Sequence, residues 1–436
     1  MSKISNISGF PEWLPEQKIA EDRVISRIKE IYSSYGFSPI ETPAAELLST
    51  LATKGVVDKE LYALKRVQGT ADDEPALALH FDLTVPMARY VALHFNDLVF
   101  PFKRYQVQKV WRGDRPQKGR FREFYQFDID IIARDELPLS CDAEAITVLD
   151  KAFATFPYGE HRVKLNNRKI LLGFYEFLGL SPEARKSAVT IVDKIDKIGA
   201  SKVAEELQGG LKLSPEVAEK IVGLAKVKIP AIEAVLKFKE LEISNAVFQE
   251  GCSDVLTVIG LLPPETQSRL VVDLSLARGL DYYTGAIFEV VYPKFPEYGS
   301  LGGGGRYEDL ASEFINKKLP GVGASIGLTR MMDLGFQNNF IDISTKTLTP
   351  VLLTVVSEEQ RAQCNAVAEE LRGYGVGIEV FFKSPKIGKQ IEYAEKKGIR
   401  YVLFIAENNE LQVKDLKSKE QTKIDSLKAW AGEVIK

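Results

Sequence analysis

Residues 111–130, which read WRGDRPQKGRFREFYQFDID, restrict the fold more than any other part of the chain. Polar and apolar side chains alternate before this segment from Arg104 and again after Phe121, which predicts two antiparallel strands. One face of the return strand is polar and carries Gln126, Asp128 and Asp130. Charged groups inside a sheet need partners or a ligand, so the hairpin predicts the floor of a polar site. The connecting loop would be its basic lip, with charges at Arg112, Asp114, Arg115, Lys118, Arg120 and Arg122.

A solvated hairpin turn is the alternative interpretation of that loop. An arginine at a strand end, a basic loop and then F-R-E-F-Y-Q-F-D-x-D resembles motif 2 of the class II aminoacyl-tRNA synthetases, in the form seen in the histidyl-tRNA synthetase family. The resemblance implies that Arg112 binds the α-phosphate of ATP and the amino-acid carboxylate. It also implies that the loop reaches the acceptor end of a tRNA and that Arg120 contacts the outer phosphates.

The composition sets broader limits. A chain of 436 residues has room for two or three domains, and 45% hydrophobic with 27% charged residues is ordinary for a globular protein. A net charge of −3 excludes nonspecific polyanion binding over the whole surface but allows a local basic site. No stretch has the length and hydropathy of a membrane span or a signal region, so we expect no membrane partner and a cytoplasmic location.

The cysteines and histidines give little sign of a metal site. Cys141, Cys252 and Cys364 lie far apart without C-x-x-C spacing, and the three histidines are equally scattered. We therefore expect buried, unpaired cysteines and no metal held by protein ligands alone.

Residues 16–43 combine a helical apolar pattern, Gly36 and a short strand that ends in proline. This order is common in proteins, but it also resembles motif 1 of the class II enzymes. The resemblance implies a dimer interface here and therefore a homodimer.

Residues 77–90 alternate as a strand and then continue as a helix whose start is marked by Thr84 and Pro86. A strand end with a threonine cap is one interpretation. The other is that Asp82, Leu83 and Thr84 resemble the histidyl-family segment that receives the substrate α-amino group. A carboxylate suits that role because an ammonium group in a closed pocket needs a charged acceptor.

The segment R-G-L-D-Y-Y-T-G follows a predicted strand at 270–276. A tyrosine pair at a strand junction usually packs in a core, but the full segment resembles a histidyl-family signature. The resemblance implies that Tyr282 and Tyr283 bind histidine together with Gln126 and Asp130. It further implies that Arg278 contacts histidine and, with Arg112, acts catalytically at the α-phosphate.

Two further segments resemble the same family. Residues 300–310 contain a glycine run that a flexible turn would also explain, and G-G-R-Y resembles the second histidyl signature, which implies that Tyr307 lines the histidine pocket. Residues 321–334 predict a strand, a glycine and a helix with Arg330 in its first turn. An arginine there could simply be a surface residue, but G-L-T-R matches motif 3, which implies γ-phosphate binding.

The pattern predicts an α+β protein with three parts. Residues 1–337 would be a catalytic domain with an antiparallel sheet, and a helical insertion would span about 181–267. Residues 338–349 form a polar linker. Residues 350–436 follow a β-α-β-α-β pattern that predicts a small α/β domain with a right-handed crossover. By resemblance it is an anticodon-binding domain, and its helix bears Lys386, Lys389, Lys396 and Lys397, which mere solvation would also explain.

Taken together, the resemblance implies ligation of L-histidine to tRNA(His) with ATP and Mg²⁺. Two alternatives stay open at this point. One is a noncatalytic regulatory relative, which is expected to lack R-G-L-D-Y-Y and the C-terminal domain. The other is a synthetase for a different amino acid, against which Asp130, Tyr282 and Tyr283 argue.

Overall fold

The computed structural model describes residues 4–51, 61–68, 76–277, 282–308, 310–311, 314–406 and 408–435. The chain divides into two compact units. The first comprises Met1–Pro11 and Arg27–Phe340, and the second comprises Glu12–Ser26 and Ile341–Lys436. The predicted site residue Arg278 lies outside the described residues.

A sheet of nine described strands forms the centre of the first unit, and a smaller sheet of three described strands accompanies it. The strands of this unit are β1 (Ser38–Pro39), β2 (Ala45–Leu47), β3 (Tyr62–Leu64), β4 (Leu77–Leu79), β5 (Phe102–Trp111), β6 (Glu123–Ile132), β7 (Arg162–Asn167), β8 (Lys228–Pro230), β9 (Leu270–Asp273), β10 (Tyr283–Val291), β11 (Gly302–Tyr307) and β12 (Gly321–Gly327). The large sheet has the order β1-β5-β6-β12-β11-β10-β7-β9-β8, and the small sheet has the order β2-β4-β3. Neighbours from β5 to β7 are antiparallel, as the sequence predicts for the core.

Helices cover this sheet and fill the stretch between β7 and β9. Helix α1 (Pro15–Ser34) begins in the second unit and ends in the first. The other described α-helices of the first unit are α2 (Leu48–Leu51), α3 (Thr84–Leu93), α4 (Leu139–Ala154), α5 (Arg168–Phe177), α6 (Pro182–Val192), α7 (Ile195–Ile198), α8 (Ala200–Leu211), α9 (Pro215–Ala225), α10 (Ala234–Glu240), α11 (Ala246–Leu261), α12 (Pro264–Arg269) and α13 (Leu328–Gln337). Side-chain oxygens of Ser181, Ser214 and Asn245 accept hydrogen bonds from the first turns of α6, α9 and α11, which stabilises these helix starts. Helix α11 packs against α4 and α5.

The hairpin predicted from residues 104–130 is confirmed as β5 and β6. The two strands place polar residues directly opposite one another, with Arg104 facing Asp130, Gln106 facing Asp128 and Gln108 facing Gln126. Directly opposed side chains on one face of an antiparallel pair interact, so the polar residues form a row across the hairpin. This row lies under the candidate site.

The glycine run at 302–305 lies in a buried strand, β11, so the alternative interpretation of a flexible turn does not hold. Its glycines allow the side chains of the adjacent strands to lie across it. The stretch from about 181 to 267, which has an almost wholly helical pattern, also contains one short described strand, because Lys228–Pro230 forms β8 and pairs with β9 at the edge of the large sheet.

The second unit contains a sheet of five described strands. Its elements are β13 (Val351–Leu353), α14 (Arg361–Gly373), β14 (Ile378–Val380), α15 (Ile387–Lys397), β15 (Tyr401–Ile405), β16 (Leu411–Asp415), β17 (Gln421–Lys423) and α16 (Leu427–Val434). The order is β14-β13-β15-β16-β17, and β13 pairs in parallel with both β14 and β15, as the β-α-β-α-β pattern predicts. The antiparallel strands β16 and β17 and the last helix were not predicted from the sequence.

Candidate functional site

A cleft of about 600 Å³ opens in the first unit above the polar face of the central strands. Its floor is built from β6, β10, β11 and β12, and one wall comes from the segment between β4 and α3. The loop between β5 and β6 and the first turn of α13 form the other end. The cleft therefore lies where the hairpin, both glycine-containing strands and the G-L-T-R turn meet.

Three buried carboxylates give one end of the cleft an acidic floor. Asp82, Asp128 and Asp130 are 5%, 3% and 3% exposed, and all three line the cleft. Burial raises the pKa of Asp82 to about 6 and that of Asp130 to about 7, and it also raises the pKa of Asp128. Such a floor favours a ligand that brings positive charge or N–H donors.

Asp130 is held by contacts on both of its oxygens. The hydroxyl of Tyr307 donates to Oδ1 over 2.8 Å, and Nη2 of the fully buried Arg104 lies 2.5 Å from Oδ2. The Arg104 charge lowers the pKa of Asp130 and partly offsets the effect of burial. The carboxylate is thus fixed in orientation at the base of the cleft.

Glycines beside these side chains leave the space that they occupy. A Cβ at Gly323 would overlap the Asp130 carboxylate and lie 2.9 Å from its Cγ. One at Gly305 would lie 2.7 Å from Cδ1 of Tyr283, and one at Gly321 would overlap the ring of Tyr307. The glycines of β11 and β12 therefore allow the acidic and aromatic side chains to lie flat across neighbouring strands.

Arg112 lies between the acidic floor and the loop. Its Nε donates to the backbone oxygen of Phe81 over 2.9 Å, and its Nη2 donates to Oε1 of Gln126 over 3.2 Å. Its guanidinium also covers the ring of Phe124, 5.1 Å from the centroid. Gln126 in turn donates to Oγ of Ser325 over 2.8 Å, so the cation and the amide are both anchored to the strands.

The opposite end of the cleft is basic. Arg330 donates from Nε to the Gly119 oxygen over 2.5 Å and from Nη1 to the Ser300 oxygen over 2.7 Å. Burial and the nearby charges of Arg120 and Arg112 lower the pKa of Arg330 to about 10, so it stays protonated at neutral pH. The guanidinium groups of Arg112, Arg120 and Arg330 repel one another, and this arrangement favours an anion between them.

An aromatic cluster lines the acidic end. The rings of Tyr282 and Tyr283 have centroids 4.6 Å apart, and those of Tyr282 and Tyr307 are 6.5 Å apart and nearly perpendicular. These rings leave an apolar wall beside the carboxylates, which suits a flat polar ring.

Most of the site residues predicted from the sequence come together in this cleft. Those that line it are Asp82, Thr84, Arg112, Arg120, Gln126, Asp130, Tyr282, Tyr283, Tyr307 and Arg330. The side chain of Leu83 is instead buried in the core and does not line the cleft. Thr84 does not cap α3 either, since Asp82 accepts the hydrogen bond from the Val85 backbone over 3.2 Å.

The structure adds residues to which no ligand was assigned from the sequence. Asp128, which shares the polar face of the hairpin with Asp130, lines the floor together with Ser325. Asp114, from the predicted basic lip, and Glu289 line the basic end. Asp193 and Lys197 reach the cleft from the helical stretch, and nothing in their sequence pattern signals this position.

No described helix combines the length and the hydropathy that a membrane crossing requires. Within the described part of the chain, no group of three or more histidine, cysteine, aspartate or glutamate side chains is arranged to hold a metal ion.

Comparison with family models gives two matches. Residues 9–331 match the model described as histidyl-tRNA synthetase, and residues 350–432 match the model described as anticodon binding domain. The two matches together cover both sheets that contain predicted functional residues.

Individual relatives agree with these matches over the full length. The chain is 44% identical over 430 residues to a histidine–tRNA ligase of Thermobifida fusca, with 98% of each chain covered. It is 39% identical to the histidine–tRNA ligase of Micrococcus luteus, with 98% of this chain and 96% of that protein covered. The crystal structure of histidyl-tRNA synthetase from Nostoc sp. PCC 7120 superposes with a TM-score of 0.85 at 36% identity, covering 100% and 99% of the two chains. The chain belongs to the histidyl-tRNA synthetase family.

Proposed function

We propose that this chain is a histidine–tRNA ligase that carries out both steps of its reaction in the cleft of the first unit. It activates L-histidine with ATP to histidyl-adenylate and then transfers the histidyl group to the 3′ end of tRNA(His). The observation that carries this proposal is the division of one cleft into an acidic, tyrosine-lined end and an end with three arginines. The α-ammonium and imidazole N–H groups of histidine suit the acidic end, and the negatively charged phosphates of ATP suit the arginines.

Histidine occupies the acidic end in this proposal. Asp82, in the D-L-T segment with Leu83 and Thr84, receives the α-ammonium group. Asp130 accepts an imidazole N–H, and Gln126 and the tyrosines Tyr282, Tyr283 and Tyr307 surround the ring. The fixed Asp130 carboxylate supports this assignment, because an acceptor whose orientation is set beforehand selects a ring with an N–H at one position.

ATP occupies the basic end. Arg112 and Arg278 bind the α-phosphate and the histidine carboxylate, and Arg120 and Arg330 bind the outer phosphates. The contacts of Arg330 to backbone oxygens support a preorganised charge, which lowers the barrier more effectively than a mobile one.

The donor chemistry at the basic end also fits Mg²⁺. Asp114 and Glu289 line this end, and both lie close enough to Arg330 to raise its pKa. Magnesium is commonly bound through one or two carboxylates together with substrate phosphates, so these two residues are the ones that would hold it. When bound, the ion would neutralise charge on the phosphates.

The chemistry needs no side-chain nucleophile. In the first step an oxygen of the histidine carboxylate attacks the α-phosphorus of ATP, and pyrophosphate leaves with the electrons of the broken P–O bond. In the second step the terminal ribose hydroxyl of the tRNA attacks the histidyl carbonyl and AMP leaves. The protein therefore contributes positioning and positive charge around the phosphorus atom.

The second unit presents a surface suited to a single-stranded tRNA loop. Phe382 is 68% exposed at the end of β14, and Lys383 lies over its ring at 5.4 Å. Lys386, at the N-cap of α15, and Lys389, in its first turn, form no ion pair among the described residues. Lys396 and Lys397, at the other end of that helix, are paired with Glu392 and Glu379. An exposed ring among lysines suits a base that stacks beside its phosphates, here the anticodon.

Other features of the enzyme follow from the same assignment. We assign it to class II, with a catalytic domain at 1–337 that has its helical insertion at about 181–267, a linker at 338–349 and an anticodon-binding domain at 350–436. It works as a homodimer in the cytoplasm, where its tRNA is used. The exposed two-residue strand β1 at the sheet edge supports a partner chain there.

Charging of tRNA tests this proposal directly. The purified chain, ATP, Mg²⁺ and tRNA(His) should yield acid-stable histidyl-tRNA from labelled histidine, with little product from other amino acids. Charging with a different amino acid, or none with any, would refute it. Sedimentation at micromolar protein tests the dimer. If the sole species observed has the monomer mass of 48.6 kDa, the dimer is contradicted.

A further inference from the structure

The floor of the cleft is short of positive charge. Three buried carboxylates, Asp82, Asp128 and Asp130, lie together. Burial raises the pKa of all three, and the charge of Asp128 further raises the pKa of the other two. Among the described residues, the cations that act on them are Arg104 and Arg112. Arg112 faces the open cleft, which leaves Arg104 as the cation beneath the floor.

Arg104 has an unusual environment for an arginine. Its side chain is 0% exposed, and its Nη2 lies 2.5 Å from Oδ2 of Asp130. Nη1 donates to Oε1 of Gln106 over 3.4 Å, Nη2 is committed to the ion pair with Asp130, and Nε has no hydrogen-bond acceptor among the described residues. Burying a guanidinium with an unused donor costs stability, so its ion pair with Asp130 points to a use beyond packing.

We propose that Arg104 is a positioning residue that keeps Asp130 ionised and oriented for the imidazole of histidine. This inference rests on the proposed function and goes beyond it, because Arg104 touches no substrate. It acts from behind the carboxylate, while Tyr307 fixes the other oxygen and Gly323 provides the space in front. Charged and titratable groups facing Asp130 are Arg104 on β5, Asp128 on β6, Tyr307 on β11 and Asp82 before α3.

The direction of the effect follows from charge. The pKa of Asp130 is raised to about 7, mainly by burial, and this value already includes the lowering by the Arg104 charge. Removing the guanidinium therefore raises this pKa further, so that Asp130 is protonated at neutral pH and ionises only at higher pH. A protonated carboxyl accepts the imidazole N–H poorly.

The test compares Arg104→Met, Arg104→Lys and Lys103→Met in histidine-dependent ATP–pyrophosphate exchange between pH 6.5 and 9. Each kcat/KM for histidine is divided by the wild-type value at the same pH, which cancels the titration of histidine itself. At pH 7 the ratio for Arg104→Met should be reduced by roughly ten- to a hundredfold, as expected for a lost hydrogen bond to a charged group. It should recover several-fold by pH 9, and KM for ATP should change little.

Two comparisons separate positioning from structure. Lys103 is the neighbour on β5 and pairs with Glu144 over 2.5 Å, so Lys103→Met removes an ion pair of the same strand and should give a ratio that does not vary with pH. Arg104→Lys keeps the charge and should retain most of the activity. A ratio for Arg104→Met that is constant over this pH range would overturn the inference.

A double-variant cycle covers the case in which Arg104→Met alone is unstable. On the background of Asp130→Asn, adding Arg104→Met should change kcat/KM for histidine by less than about threefold, because no carboxylate remains to be ionised. A full additional loss would also overturn the inference. If the wild-type chain shows no histidine-dependent exchange, the proposed function itself fails, which is a different result.

Discussion

Gly323 on β12 and Asp130 on β6 are direct partners in the sheet, and the carboxylate of Asp130 occupies the space that a side chain at Gly323 would need. A Cβ there would lie 2.9 Å from Cγ of Asp130. The absence of a side chain on one strand therefore sets the position of a carboxylate on the next. Histidine recognition in our account depends on this relationship.

Gly323→Ala should displace the Asp130 carboxylate from Arg104 and Tyr307. We expect KM for histidine to rise at least tenfold and the free energy of unfolding to fall by about 1–3 kcal/mol, the usual cost of overpacking. Gly327→Ala on the same strand is the control, because its added Cβ would have its nearest neighbour at 3.5 Å. Steady-state exchange kinetics and thermal unfolding of both variants check this, and equal histidine KM values would contradict it.

Asp82→Asn should make the protein more stable above pH 6 and less able to bind histidine. The pKa of Asp82 is raised from 3.8 to about 6, mainly by burial, so the folded state favours the protonated carboxyl. The contribution of Asp82 to the free energy of unfolding is fully present below the unfolded-state pKa of 3.8 and is lost as pH rises through the folded-state pKa of about 6. The total loss is about 3 kcal/mol at most. Asparagine has no charge to bury and can still accept from the Val85 backbone.

The measurement for Asp82→Asn is denaturant unfolding at pH 5 and pH 8. The variant should gain on the order of 1–3 kcal/mol over wild type at pH 8 and much less at pH 5. A stability difference that is the same at both pH values would show that ionisation of Asp82 is not the cause. KM for histidine should rise, because the α-ammonium group loses its charged acceptor.

Phe382→Ala should weaken tRNA binding without affecting amino-acid activation. Loss of a stacked base costs about 1–3 kcal/mol, so KM for tRNA(His) should rise roughly five- to a hundredfold. Ile435→Ala removes another exposed apolar side chain of the same unit and serves as the control. If charging kinetics with tRNA are the same for both variants, Phe382 does not contact the tRNA.

Arg278→Ala tests a residue that the sequence alone assigns to the α-phosphate. Negative charge on that phosphate increases in the transition state of the first step, so histidyl-adenylate formation should slow about a hundred- to a thousandfold. Transfer from preformed adenylate to tRNA should be affected much less, because the α-phosphate is then part of the leaving group. Single-turnover measurement of the two steps separates them, and equal losses would assign Arg278 a structural role.

Much of the fold could be predicted from the sequence because its strands alternate clearly. The β5–β6 hairpin and the parallel strands β13, β14 and β15 have the periodicity expected of half-buried and fully buried strands. The glycine run at β11 could not be assigned by periodicity, since glycine has no side chain to alternate. The short strand β8 depends on pairing with β9, which is distant in the sequence, and local pattern does not encode that. Strands β16 and β17 pair with the strands just before them, but they are short and only partly buried or exposed, so their apolar pattern is weak.

The candidate site could likewise be predicted only in part. Most of the described site residues from the resembled motifs line one cleft, but the sequence does not indicate which side chains support them from behind. Arg306 illustrates this, because alternation on β11 turns it away from Tyr307 and the cleft, toward Asp142 and the backbone oxygens of Leu137 and Pro138. Arg104 was noted only as a polar strand residue, since its contact with Asp130 depends on strand pairing across the hairpin.

In our account this cleft activates histidine and no other amino acid. The most direct measurement is ATP–pyrophosphate exchange by the wild-type chain with each of the twenty amino acids, repeated with Arg112→Ala. We predict exchange with histidine that exceeds every other amino acid by at least a hundredfold and that Arg112→Ala reduces by about two orders of magnitude. Exchange that prefers another amino acid, or that persists unchanged in Arg112→Ala, would contradict the account.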